Sequence, residues 1–241
     1  MNENLCIGFL LLLCFMGIGP TTVQAQVKTQ NSQEVDLLRE TSKISGVLLN
    51  DIEYKGEKTL QVKMPAESYQ NPQKEELNSR NFFAWMPLDF HNGTIDVDAA
   101  GVLADDAPAY ARGFVGIAFR VESNQKFEAM YLRPVNSIVE DQVRRNHTVQ
   151  YFSYPEYDFA RLRKETPEKY ESYVDIAPAQ WIHMKIEVSQ NKARLYVNGA
   201  KQPTLVVNDL KAGSDQRGGI GFWIESGTIG YFSHLKITYN D

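Results

Sequence analysis

The sequence predicts an all-β protein, an antiparallel β-sandwich around one sizeable core. Three observations carry the prediction. Apolar residues recur at every second position through most of the chain from residue 43 onward, turns containing Gly and Asn separate these runs, and helical patterning is scarce. A length of 241 residues suits one large β domain, and a hydrophobic content of 43% suits a folded chain.

Residues 1–25 read as a secretory signal peptide. Leu5 to Ile18 is almost continuously apolar but falls short of the roughly 20 apolar residues that a transmembrane helix needs, so no membrane span is expected. Gly17, Gly19 and Pro20 break the run, and Val23-Gln24-Ala25 supplies small residues for a cut before Gln26. Met1 to Asn4 lacks the usual Lys or Arg, and Leu13 disfavours a lipid anchor on Cys14, where that signal wants a small residue. The expected location is secreted, which in a bacterium means the periplasm or cell surface. Cys6 and Cys14 are the two cysteines of the chain, and both fall in this segment. The mature core would therefore hold together without disulfides, and thiolate nucleophiles and thiolate metal ligands are excluded. Residues 26–42, rich in Gln, Asn, Ser and Glu, read as a polar tether. The sandwich is expected over 43–241.

The strands follow in order. Leu60, Val62 and Met64 alternate with Thr59, Gln61 and Lys63; Asn81 to Leu88 is aromatic and apolar; His91-Asn92-Gly93-Thr94 is a turn, after which Ile95 and Val97 alternate with Asp96 and Asp98. Val115, Ile117, Phe119 and Val121 oppose Gly116, Ala118 and Arg120. Phe127, Ala129, Tyr131 and Arg133 oppose Glu128, Met130 and Leu132. His147 to Tyr154 is strongly β-prone and stops at Pro155. Trp181–Val188 and Ala193–Val197 alternate and read as hairpin partners or neighbouring strands, and Thr204–Val207, Gly219–Glu225 and Tyr231–Tyr239 complete the series. Two helical stretches are expected, Tyr157–Lys164 and a start at Thr166-Pro167-Glu168 with Thr as cap. They fall in the connection from Pro155 to Pro178, long enough to be a wall or lid with structure of its own.

"WIHMKIEVSQNKARLYVNGAKQPTLVVNDL" followed by "GGIGFWIESGTIGYFSHLKI" resembles the last strands of concanavalin A-like jelly rolls. "FHNGTIDVDAAG" and "GFVGIAFRV" fit the same scheme, and the resemblance covers roughly residues 45 to 240. That superfamily includes legume lectins, laminin G-like modules and secreted bacterial glycan-processing proteins. The segment "YLRPVN…RRNHTVQYFSYPEYDFARLR" looks like a subgroup of unassigned activity. The resemblance implies a jelly roll whose one sheet lines a concave groove. The family's endoglucanase branch carries Glu-x-Asp-x-x-Glu on one strand. "TIDVDAA" has Asp96 and Asp98 without the glutamates, so that branch's catalytic pair does not carry over.

Candidate chemistry then narrows. A net charge of −5 without a basic stripe argues against nucleic acid. Asp96 and Asp98 share a face and read first as a solvated edge, with an acid/base pair or calcium as the functional reading. Asp105 and Asp106 could join such a calcium site, though a plain acidic loop is the simpler reading, and no other cofactor is expected. His91, His147, His183 and His234 lack metal-ligand spacing, no Gly-x-Ser-x-Gly elbow occurs, and "RGGIG" precedes no helix. What remains is a set of rings and forked donors on strands taken as adjacent: Arg120, Tyr131, Arg133, His147, Tyr151 and Tyr154, with Asn136, Arg144 and Arg145 nearby, plus Trp223 and Glu225 at strand spacing. Tyr rings offer an apolar face with a polar tip, and Arg forks hold vicinal hydroxyls or carboxylates in paired bonds. The plainer reading is an aromatic sheet with Arg at its rim. Tyr151 and Tyr154, three apart, cannot share a face on a regular strand.

The expected function is carbohydrate binding with a glycan as partner. One alternative is a glycoside hydrolase or lyase with acids drawn from Glu128, Glu187 and Glu225. The other is a laminin G-type protein-interaction module.

Overall fold

The computed structural model describes Met1, residues 31–37 and residues 42–240, so the signal peptide and most of the tether lie outside the described residues. The strands, in chain order, are β1 (Asn31–Glu34), β2 (Lys43–Ser45), β3 (Leu48–Tyr54), β4 (Glu57–Lys63), β5 (Phe83–Phe90), β6 (Gly93–Leu103), β7 (Val115–Ser123) and β8 (Lys126–Leu132). After them come β9 (Val149–Tyr154), β10 (Glu171–Ser172), β11 (Ile182–Ser189), β12 (Lys192–Val197), β13 (Leu205–Val207), β14 (Gly218–Ile224) and β15 (Thr228–Tyr239). Among the described residues three short α-helices, α1 (Pro134–Ser137), α2 (Gln142–Asn146) and α3 (Phe159–Glu165), and one 3-10 turn (Ala66–Ser68) interrupt them.

Two antiparallel sheets form the expected sandwich. The eight-stranded sheet runs β13-β12-β11-β6-β15-β4-β3, with β1 added to β15, and the seven-stranded sheet runs β10-β9-β8-β7-β14-β5-β2. Asn92-Gly93 is not a hairpin turn. It carries the chain from β5 in one sheet to β6 in the other, with Gly93 at φ +144°. β11 and β12 pair as a hairpin from Met184↔Val197 to Ser189↔Lys192. Phe222 of β14 and Phe232 of β15 meet across the sandwich with ring centroids 4.8 Å apart, which marks the inter-sheet core.

The sheets differ in what covers them. β6 and β11 alternate buried and half-exposed residues, the pattern of a sheet with one wet face. In β7, β8 and β14 nearly every residue is buried, so both faces of the seven-stranded sheet are covered at its centre. The outer cover is the stretch 65–82 together with the connection 155–178. Trp223 Nε1 donates to Arg80 O at 2.6 Å, and Asn78 Nδ2 donates to Asp158 Oδ2 at 2.6 Å, which ties the two covering segments together.

Some expectations change. Asn31–Glu34, inside the stretch read as a tether, is a strand paired with Lys236–Tyr239. Thr166-Pro167-Glu168 starts no helix: Thr166 closes α3 by bonding Leu162 O, and Glu168 adopts φ +66°, which stops any continuation. Asn136 and Arg144–Arg145 lie on α1 and α2 and not on strands; Asp141 caps α2 by accepting from Val143 N and Arg144 N. Among the described residues no helix is long and apolar enough to cross a membrane.

Candidate functional site

The site begins with a glycine. Gly116 on β7 lies opposite Tyr131 of β8 on one side and Trp223 of β14 on the other. A Cβ at Gly116 would lie 2.3 Å from Tyr131 Cβ, so only glycine lets the two large rings close over β7. Their centroids are 4.5 Å apart, and Phe152 joins both, 5.7 Å from Tyr131 and 5.2 Å from Trp223. Tyr131 and Trp223 are almost wholly buried, so they are a floor and not an exposed platform.

Polar groups sit just past the strand ends above this floor. Arg133 stacks its guanidinium 4.7 Å over the Tyr131 ring, donates to the Tyr131 hydroxyl, and donates from Nη1 to His147 O at 2.9 Å. Glu225 accepts from Arg80 Nη2 at 2.6 Å and from Ser226 N at 2.7 Å. Behind Arg133, Glu171 accepts two bonds from Arg163 Nε at 3.1 and 3.2 Å and lies 2.9 Å from His147 Nδ1 and 4.0 Å from Arg133 Nη1. Burial alone would push the Glu171 carboxyl up. Hydrogen bonds from His147 and Arg163, with the charges of Arg163 and Arg133, outweigh it and hold the group at about 2.

These groups surround a cleft of 210 Å³ between the two covering segments. Tyr110, Phe114 and Phe159 supply half-buried rings on its walls, and Arg112, Arg144 and Arg163 supply guanidiniums. Five of the eight residues expected from sequence therefore meet here: Tyr131, Arg133, His147, Trp223 and Glu225.

The other three do not. Regular alternation would send Arg120 to the outer face with Gly116 and Ala118. A register shift after Phe119 and φ +52° at Arg120 break the alternation, and the side chain is wholly buried elsewhere. It donates to His91 O at 2.8 Å, Gln190 O at 2.7 Å and Gly213 O at 3.0 Å, and lies 3.8 Å from Glu128 Oε2. Tyr151 is on the opposite face from the cleft, with its hydroxyl on Glu128 and accepting from Lys211 N at 2.8 Å. Tyr154 stacks on Phe127 at 5.2 Å, away from the cleft lining. Arg120, Glu128 and Tyr151 thus form a buried clamp that pins loops.

The acids named for hydrolysis are dispersed. Glu128 belongs to that clamp, Glu187 pairs with Lys185 at 2.6 Å on the other sheet, and Glu225 alone of the three reaches the cleft. Asp96 and Asp98 face outward on the eight-stranded sheet, and Asp98 bridges His183 Nδ1 at 2.8 Å and His234 Nδ1 at 2.9 Å. Among the described residues no group of three or more His, Cys, Asp or Glu is arranged to hold a metal. Asp106 accepts from Tyr69 at 3.1 Å.

Sequence reasoning missed Tyr110, Arg112, Phe114 and the 70–80 segment. The first three lie in an irregular stretch before β7, where no periodicity points a side chain. The long connection was the legible part: Phe159 and Arg163 come from it.

Fold and site together define an antiparallel β-sandwich with a cleft on the covered face of one sheet. No family model matches the chain, and no curated protein matches it. Among solved structures it is similar to the carbohydrate binding module CBM66 from Bacillus subtilis (14% identity, 80% of this chain and 96% of that one, TM-score 0.45). It is also similar to a Bacillus subtilis protein of unknown function with a galectin-like fold (12%, 88% and 90%, TM-score 0.47). A third is domain 4 of an extracellular arabinanase from Geobacillus stearothermophilus, solved with arabinotriose (12%, 83% and 82%, TM-score 0.41). These likenesses concern the two-sheet architecture; what those proteins bind is theirs.

Proposed function

We propose that this protein is a secreted carbohydrate-binding module of the concanavalin A-like jelly-roll type, acting outside the cytoplasm in glycan capture or breakdown. One observation carries the reading: a cleft that combines half-buried ring faces with convergent forked donors, at the ends of β8 and β14. Rings suit the apolar faces of a pyranose, and guanidinium and amide groups suit its hydroxyls.

Binding is favoured over hydrolysis by the state of the acids. Hydrolysis calls for two carboxyl groups across a cleft, and Glu225 is the one acid among the described residues that line this one. Glu225 is engaged by Arg80 and Ser226. The test is a glycan array with the purified protein, followed by calorimetry on any hit and by product analysis. Phe159→Ala should weaken glycan binding by about tenfold, the scale of one lost ring contact, while leaving the melting temperature nearly unchanged. An array without any binding, together with no product release, would sink the carbohydrate reading.

A further inference from the structure

The cleft has more cations than acids, and the surplus is specific. Glu225 is matched by Arg80, and Glu171 by Arg163, with His147 and Arg133 beside it. That leaves Arg112 and Arg144. Arg112 donates from Nη1 to the carbonyls of Ala109 and Ala111, both at 2.8 Å, and has no carboxylate within ion-pair distance among the described residues. Arg144 is held in place because Asp141 caps its helix, yet its buried Nε has no partner. Arg112, Arg133 and Arg144 line the same cleft, and burial, followed by the charges of Arg144 and Arg133, pushes the Arg112 guanidinium down. Leaving half-buried like charges together is costly unless an anion completes them.

A second observation is independent of charge. Asn136 lines the same cleft, is 5% exposed, and leaves Oδ1, which can only accept, without a hydrogen-bond partner. A buried oxygen of this kind calls for a donor. A simple anion, which only accepts, could not satisfy both features. A molecule carrying hydroxyls and one negative group could.

We propose that the cleft selects an acidic sugar, its carboxylate or sulfate seated by Arg112 and Arg144 and one of its hydroxyls donating to Asn136 Oδ1. The proposal rests on the carbohydrate reading above and narrows it to a ligand class. Carboxylate is recognised by two parallel N–H bonds from a guanidinium fork, and sulfate by the same donors in a tripod.

The test uses an array that displays uronate-bearing oligosaccharides, their carboxyl-reduced counterparts, sulfated oligosaccharides and neutral oligosaccharides. The uronates and their reduced forms differ at the charged group alone. Binding of uronates at least about tenfold tighter than their reduced forms, or of sulfated chains over neutral ones, is expected, and the winning arm tells carboxylate from sulfate. Arg144→Gln should abolish that preference, bringing charged oligosaccharides down to the level of their uncharged counterparts; the side chain has no ion pair to lose, so folding is spared. Equal binding of charged and reduced forms overturns the acidic-sugar inference while the carbohydrate reading survives. Binding of nothing on the array overturns both. A charge preference that survives in both Arg144→Gln and Arg112→Gln overturns the assignment to these two residues.

Discussion

At the scale of single residues, backbone geometry decides which of two buried arginines reaches the cleft. Arg120 and Arg133 both lie on or just past strands of the seven-stranded sheet, and both look like rim donors in sequence. Arg120 spends its donors on three backbone carbonyls and lies within ion-pair distance of the Glu128 carboxylate. Arg120→Ala should therefore cost about 3–5 kcal/mol of stability, because it strands a buried acid, with little change in glycan affinity; urea unfolding and calorimetry separate the two effects. Glu171 gives a pH prediction. Its folded value of about 2 lies below the ordinary 4.5, so the carboxylate stabilises the fold above pH 4.5 and that contribution is lost as pH falls towards 2. The loss is on the order of 3 kcal/mol, and a Glu171→Gln variant should show a flatter acid limb in thermal melts between those pH values.

At the scale of elements, alternation was legible and its interruptions were not. Ile95 and Val97 against Asp96 and Asp98, or the buried and half-exposed residues of β11, follow the period of two as read. The pattern fails at Arg120, where a register shift intervenes, and a bulge leaves no mark in hydrophobicity alone. The site was legible where strands ended in paired polar residues, at Tyr131–Arg133 and Trp223–Glu225. Arg112 and Phe114 escaped because an irregular segment positions them through tertiary contacts. Two predictions belong at this scale. Gly116→Ala should destabilise the protein by about 1–3 kcal/mol and separate the Tyr131 and Trp223 rings, a change visible in near-ultraviolet circular dichroism and tryptophan fluorescence. Asp158 caps α3 by accepting from Arg161 N at 2.8 Å and also accepts from Asn78. Asp158→Ala should cost about 1 kcal/mol and raise hydrogen exchange across 155–178 ahead of the strands beneath.

At the scale of the whole molecule, the sheets divide the work. The eight-stranded sheet keeps one wet face, and the centre of the seven-stranded sheet, β7, β8 and β14, is covered on both sides around the cleft. Such a sheet can be aromatic throughout because its outer rings are roofed, which is why rings in the sequence marked cover as often as binding. The fold holds without cross-links, since no cysteine occurs after Cys14. Thermal melts with and without reductant should superimpose.

The first described strand lies beside the last, with Asn31 opposite Tyr239 and Glu34 opposite Lys236. That pairing makes the molecule a candidate for circular permutation. A few flexible residues joining Asn240 to Asn31 would close the backbone into a ring, and the exposed Asn198-Gly199 corner after β12 offers a place to reopen it. A permutant of this kind should keep the parent's circular dichroism spectrum, because neither the splice nor the new opening touches the segments that build the cleft.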